Sequence, residues 1–321
     1  MTSRLLAAPL AFLLAAVACR GSEAWRAFDS ERALAHVRKL VEIGPRPSGS
    51  PEIERTREYL TARLHEAGLK VRRQTFMEPT PRGPIEFVNL IAEVPGRWTD
   101  HLPWRRPKTL LLASHYDTKW MPEIRFVGAN DGGSSAATLV EIGRVAAAAR
   151  LRPWGCRLEL IFFDGEEAVR AYSPEDGLHG SRYFVRRAKK TGALDRIRAL
   201  ILLDMIGDRD LSVLLPRGDP DLTRRIFAAA ASLGMRENFR YSPSEILDDH
   251  APFAAEGVPA LNLIDFDYGP SNAWWHTAED TLDKIRARSL EIVGKTLLKA
   301  LETEDGALPS ISKFGSDPHR P

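Results

Sequence analysis

The chain has 321 residues, 44% of them hydrophobic and 27% charged, with 45 Lys plus Arg against 43 Asp plus Glu. With a mean hydropathy of −0.25, this excludes a mostly disordered, collagen-like or polytopic membrane chain, and the net charge of +2 leaves no electrostatic footprint for nucleic acid. The only cysteines are Cys19 and Cys156, too few for a disulfide-stapled fold or a thiolate zinc site, so any metal here must be held by His and carboxylates.

Residues 5–18 form an apolar run, broken by Pro9 and preceded by Arg4. That is too short to span a bilayer comfortably, and residues 1–18 read as a signal peptide. The run ends Ala16-Val17-Ala18-Cys19. Small residues at 16 and 18 suit a signal peptidase. The following cysteine resembles a bacterial lipoprotein box, with Ala16 where that box has Leu, so a lipid anchor through Cys19 stands beside plain secretion. Either way an exported protein is expected, periplasmic, in the cell envelope or secreted. Cys156 opens an apolar run and reads as a buried structural thiol.

In the remainder, residues 30–41 place Leu34, Val37, Leu40 and Val41 at helical spacing, with Asp29 or Ser30 as cap. Residues 51–67 read as a second amphipathic helix closed by Gly68. Residues 69–76 alternate and 87–94 are apolar. Residues 109–114, 157–163, 198–206 and 258–264 are short apolar runs bounded by turn residues, the pattern of buried strands. Between them, 133–149, 178–191, 220–233 and 280–303 read as helices. Residues 95–107 are a Pro/Arg/Trp-rich loop and 304–321 a polar tail. There is no internal repeat. Strands alternating with helices predict an α/β fold, a single-domain three-layer α/β/α sandwich with a mixed central sheet, over a catalytic domain at 26–303.

Ionisable residues collect where these strands end, which is where open α/β sheets carry function. The 109–114 strand runs into His115-Tyr116-Asp117, the 157–163 strand into Asp164-Gly165-Glu166-Glu167, and the next ends at Asp204. The 258–264 strand leads to Trp274-Trp275-His276, and Asn130-Asp131 opens a helix. Each has a plain structural reading alone: a locally bonded His, a solvated acidic pair, an N-cap at Asp131, a turn at Asp204. Their convergence favours a metal site. Zinc at a hydrolytic or acyl-transfer centre takes His nitrogen and carboxylate oxygen and keeps a position open. His115, Asp131, Glu167, Asp204 and His276 supply that set from five different elements, and Glu166 is the candidate general base. His36 and His65 fall on amphipathic helices, His101 in the loop and His319 in the tail, while His179 reads either way.

The ordered motifs are His115-Tyr116-Asp117-Thr118-Lys119, Gly128-Ala129-Asn130-Asp131, Phe162-Phe163-Asp164-Gly165-Glu166-Glu167, Leu202-Leu203-Asp204-Met205-Ile206-Gly207, Asp248-Asp249-His250-Ala251-Pro252-Phe253 and Trp275-His276-Thr277. Over residues 30–300 this order resembles the animal-type glutaminyl-peptide cyclotransferases, which share a fold with the zinc aminopeptidases of their clan. The resemblance implies one zinc held at Asp131, Glu167 and His276, with Glu166 catalytic. It implies a supporting acid pair at Asp204 and Asp248 and a pocket wall at Trp275. Two-zinc aminopeptidases of the clan use the equivalents of His115 and Asp204 as further ligands, and both are present. The long segment 172–182, Lys119 and Trp275 tilt the resemblance toward the cyclase. The chain departs from vertebrate members at Ser114, where they have Cys, and at Leu247 and Tyr172, where they have a pocket Gln and a Trp. Trp275, Lys119, Tyr172 and Leu247 are thus the expected substrate-binding residues. The expected partners are peptides or proteins with a free N-terminus, with no nucleic acid. The implied reaction converts N-terminal Gln to pyroglutamate with release of ammonia. The alternatives are an aminopeptidase of the same fold and a non-catalytic binding lipoprotein.

Overall fold

The structure, a computed structural model, describes residues 23–96 and 107–302. The expected signal segment with Cys19, most of the Pro/Arg/Trp-rich loop and the polar tail lie outside the described residues.

Eight strands form one sheet: β1 (Lys70–Thr80), β2 (Gly83–Glu93), β3 (Thr109–His115), β4 (Arg157–Phe163), β5 (Ile197–Asp204), β6 (Val213–Leu215), β7 (Phe239–Tyr241) and β8 (Ala260–Ile264). Their spatial order is β1-β2-β4-β3-β5-β8-β6-β7. The central strands β4, β3, β5 and β8 are parallel. β1 and β2 pair antiparallel on one side, and β6 runs antiparallel to β8 on the other. Seven helices are described: α1 (Ser30–Ile43), α2 (Pro51–Glu66), α3 (Ser134–Ala149), α4 (His179–Lys190), α5 (Pro220–Ser232), α6 (Ala251–Ala255) and α7 (Ala287–Glu302). The expected mixed-sheet sandwich is what the chain forms.

The period of two along a strand sorts side chains to opposite faces. In β3, Leu110 and Leu112 join the core beneath α1, α2, α3, α5 and α7. Leu111 and Ala113 join the core beneath α4 and α6. Burying one such leucine contributes roughly 1.5–3 kcal/mol, and two-sided burial is why these strands are continuous apolar runs. Cys156 is buried in the first core, at 5% exposure. Helix starts follow their caps: Asp29 accepts from Arg32 N and Ser50 from Ile53 N, each at the start of its helix. No helix among the described residues is long and apolar enough to cross a membrane.

Four boundaries differ from expectation. The helix expected over 280–303 begins only at Ala287, after a single turn at Leu282–Lys284. Asp280, its expected first residue, is turned inward to accept backbone N–H bonds from another loop. β1 and β2 run on to a hairpin in which Thr80 pairs Gly83. Pro79, Pro81 and Pro84 hide that extension, because proline reads as a strand breaker. β5 stops at Asp204, where Met205 takes a left-handed φ of +49°. The short elements β6, β7 and α6 carry too few residues for a periodic signal.

Candidate metal centre and active site

The parallel pairing of β4, β3, β5 and β8 brings their C-terminal ends to one sheet edge, with His115 level with Phe163 and Asp204 level with Ile264. Asp131 arrives from the loop before α3 and His276 from the segment after β8. The candidate ligands form two clusters, in each of which the donor atoms lie within 4.8 Å of one another: Asp131, Glu167 and His276, and His115, Asp131 and Asp204. Asp131 belongs to both. Its Oδ2 lies 3.2 Å from His276 Nε2 and its Oδ1 3.2 Å from His115 Nε2. Glu167 Oε1 is 3.0 Å from His276 Nε2, and Asp204 Oδ1 is 3.1 Å from His115 Nε2.

Two observations say that these residues fit a cation. Asp131 Oδ2 is buried and makes no well-formed hydrogen bond, although His276 Nε2 lies 3.2 Å away, a state that a cation between them would relieve. The acids also pull protons onto the histidines. Burial opposes charge on His276, but Glu167 and Asp131 outweigh it and raise its pKa to about 9. Burial is likewise overridden at His115 by Asp204, Asp117 and Asp131, which push it well above the ordinary value. A metal ion would replace those protons. His276 itself sits at φ +53°, strain of the kind stored at functional sites.

Glu166 is buried at 5% exposure. Burial raises its pKa well above the carboxylate range; His115 opposes this, while Glu167, Asp248 and Asp249 reinforce it. The backbone N–H groups of Glu166 and Glu167 donate to the two oxygens of Asp117, 3.3 Å each. Gly165 precedes them at φ +74°, and a Cβ there would lie 2.4 Å from the Phe87 ring, so no side chain fits that turn. Asp164 anchors it from below, accepting from Arg57 Nη2 at 2.6 Å, Ser48 Oγ at 2.6 Å and Val88 N at 2.7 Å.

Asp204 and Asp248 are both raised to about 6, burial being the largest cause in each; His115 opposes it at Asp204, and the Asp249 N–H opposes it at Asp248. Asp248 accepts from Asn262 Nδ2 at 2.7 Å and Asp249 N at 2.6 Å. Trp275 stacks on the His276 ring, with centroids 4.0 Å apart, and meets Phe266 edge to face. Lys119 Nζ donates to Ala168 O at 2.7 Å and lies 3.4 Å from Glu167 Oε2. The Tyr172 hydroxyl reaches Glu166. Leu247 stands apart from this group. It is 55% exposed and lines a cavity of about 560 Å³ with Ile246, His250 and Ala254, whose walls include none of the candidate ligands.

Three residues given no role from sequence support the site. Asp280 accepts from Asn130 N at 2.7 Å and Asp131 N at 3.1 Å, and Tyr268 Oη donates to it at 2.8 Å. Asp280 follows the candidate ligand His276 by four residues, but it fell inside the helix expected over 280–303. Asp117 lay in view beside His115, with nothing to show that it faces the Glu pair. Arg46 is fully buried, and its guanidinium donates to three backbone carbonyls: Tyr116 O at 2.8 Å, Val127 O at 2.6 Å and Gly128 O at 3.0 Å. It thereby joins the loop after His115 to the loop before Asp131. No sequence signal marks it.

Residues 89–301 match peptidase family M28. The glutaminyl-peptide cyclotransferase of Drosophila melanogaster is 30% identical over 78% of this chain and 75% of its own length, and that of Bos taurus 31% identical over 80% and 77%. Among solved structures, an Acidobacteriales bacterium glutaminyl cyclase superposes with a TM-score of 0.76 at 34% identity, covering 85% of this chain and 94% of its own. A Bacteroides thetaiotaomicron leucine aminopeptidase precursor reaches 0.73 at 26% identity, covering 87% and 98%. With a match across most of its length and relatives at 30% identity or more, the chain belongs to peptidase family M28 and, within it, to the glutaminyl-peptide cyclotransferases.

Proposed function

We propose that the protein is a zinc-dependent glutaminyl-peptide cyclotransferase, converting the N-terminal Gln of peptides or proteins to pyroglutamate with release of ammonia. The observation that carries this is Glu166: a buried carboxylate beside the Asp131, Glu167 and His276 cluster, on a chain whose relatives bear that name. Asp131, Glu167 and His276 would hold one zinc, which when bound supplies Lewis-acid polarisation of the side-chain amide carbonyl.

In this reading Glu166 accepts a proton from the substrate α-amine as its nitrogen bonds to the side-chain carbonyl carbon. The bond from that carbon to the amide nitrogen breaks, and Glu166 returns the proton to the departing ammonia. A carboxylate with a raised pKa suits both halves of that exchange near neutral pH. Asp204 and Asp248 keep the surroundings of Glu166 negative. Trp275 offers an apolar wall that orients the short Gln side chain. Because both reacting groups belong to one residue, orientation supplies much of the rate.

A second reading, a two-metal aminopeptidase, is favoured by the His115, Asp131 and Asp204 cluster. Purified protein given Gln-peptide and Leu-peptide reporters separates the two. Pyroglutamate and ammonia support the cyclase, and free leucine without pyroglutamate rejects it. Zinc per chain near one accords with the cyclase and near two with the peptidase. Export, with a lipid on Cys19, is proposed from the leader alone; N-terminal sequencing and fatty-acid labelling of the cell-made protein test it.

A further inference from the structure

The segment that follows the Glu pair is built to deliver one phenol. Asp176, at 4% exposure, accepts from Val169 N and Arg170 N, both at 2.8 Å. Ser173 N donates to Asp176 O at 2.9 Å, closing a small antiparallel bridge. Arg182 Nη1 donates to Ser173 O at 2.7 Å. Leu178 N donates to the backbone carbonyl of Glu166 at 2.8 Å, so the segment returns to the residue it left. Gly177 sits at φ +85°, and a Cβ there would lie 2.6 Å from the Tyr172 ring; the ring rests against a bare Cα.

From that cradle the Tyr172 hydroxyl lies 2.8 Å from Glu166 Oε1 and 3.0 Å from Oε2. One O–H thus addresses both carboxylate oxygens. Among the described residues, the other hydrogen bonds of Glu166 are made by its backbone, to Asp117 at its N–H and from Leu178 at its carbonyl. The phenol therefore settles where the carboxylate points. A residue serving only as a wall would supply apolar area and no donor.

We infer that Tyr172 is a positioning residue for Glu166, its phenol holding the carboxylate in the orientation from which it meets the substrate amine. This rests on the assignment of Glu166 as the base. A hydrogen bond to a charged group contributes more than a neutral one, and a base turned away from its proton is lost to the reaction.

The test uses Tyr172→Phe, which keeps the ring and its packing. On whichever reporter the parent turns over, glutaminyl or leucyl, kcat falls by about ten- to a hundred-fold. KM stays within about two-fold, and zinc per chain is unchanged. Tyr172→Ala, which also removes the wall, raises KM as well. Equal kcat in parent and Tyr172→Phe overturns the inference, whereas absence of pyroglutamate from the parent overturns only the cyclase reading. A readout independent of turnover is the tyrosine Fermi doublet in the parent-minus-variant Raman spectrum. It should show a strong donor, and a phenol that donates nothing overturns the inference by itself.

Discussion

Glu166 and Glu167 are chain neighbours in different surroundings. Glu167 faces His276 at 3.0 Å, while Glu166 lies under Tyr172 with Asp248 and Asp249 contributing to its field. Adjacent residues on a non-helical segment direct their side chains apart, and Gly165 lets that segment turn tightly above Phe87. Glu166→Gln keeps the shape and removes the proton acceptor, so activity should drop by at least about a hundred-fold, with zinc content unchanged. Substantial turnover by the Gln variant would show that the base lies elsewhere. At this scale the candidate side chains His115, Glu166, Glu167 and Asp204 were legible because they stand at strand exits, where acids and histidines are conspicuous, whereas Asp131 and His276 lie in loops. The residues that bind mainly backbone were not. Arg46 and Asp280 act on carbonyls and N–H groups, which every sequence has, so no pattern of residue types reveals such a partner.

Strand ends place His115 and Asp204, loops place Asp131, Glu167 and His276, and Arg46 ties two of the loops together. Its guanidinium is wholly buried and spends three donors on carbonyls around the residues next to His115 and Asp131. Burial lowers its pKa to about 10, with Asp280, Asp117 and Asp131 opposing the shift, so it stays charged at neutral pH. A planar fork cannot be replaced by an ammonium. Arg46→Lys should therefore resemble Arg46→Met, with zinc affinity by chelator competition weakened about ten-fold or more. Parent-like affinity in the lysine variant would assign Arg46 a charge role instead. The elements were legible where they are long and two-sided, as in β3 or α3. They were misread where tertiary demands overrode local pattern: Asp280 leaves its expected helix to hold the Asp131 loop, and the β1–β2 hairpin runs on through three prolines.

At the scale of the molecule, the candidate ligands come together at one sheet edge from separate strands and loops. Ligand binding stabilises the state that presents the complete set, so zinc removal should lower Tm by several degrees. Scanning calorimetry with and without chelator checks this, and an unchanged Tm would mean that the metal adds nothing to folding. Away from the site, His36 on α1 meets Tyr59 on α2, its Nδ1 2.6 Å from the hydroxyl. Burial, with Arg63 and Arg32, lowers its pKa to about 4. The unfolded chain therefore binds the extra proton between pH 6.5 and 4, and the folded state loses stability as pH falls through that window. The loss stays below about 3 kcal/mol given partial exposure. In zinc-free protein, Tm of the parent relative to His36→Asn should fall from pH 6.5 to pH 4. Parallel curves would contradict the assignment.

The ligand set is gathered from residue 115 to residue 276, across four parallel strands with crossovers between them. During synthesis His115, Asp131, Glu167 and Asp204 leave the ribosome long before His276 does. The Asp131, Glu167 and His276 set is thus incomplete until His276 emerges, whereas His115, Asp131 and Asp204 are all made earlier. An ion held by Asp131, Glu167 and His276 would accordingly be captured late, once the segment after β8 has joined the sheet edge.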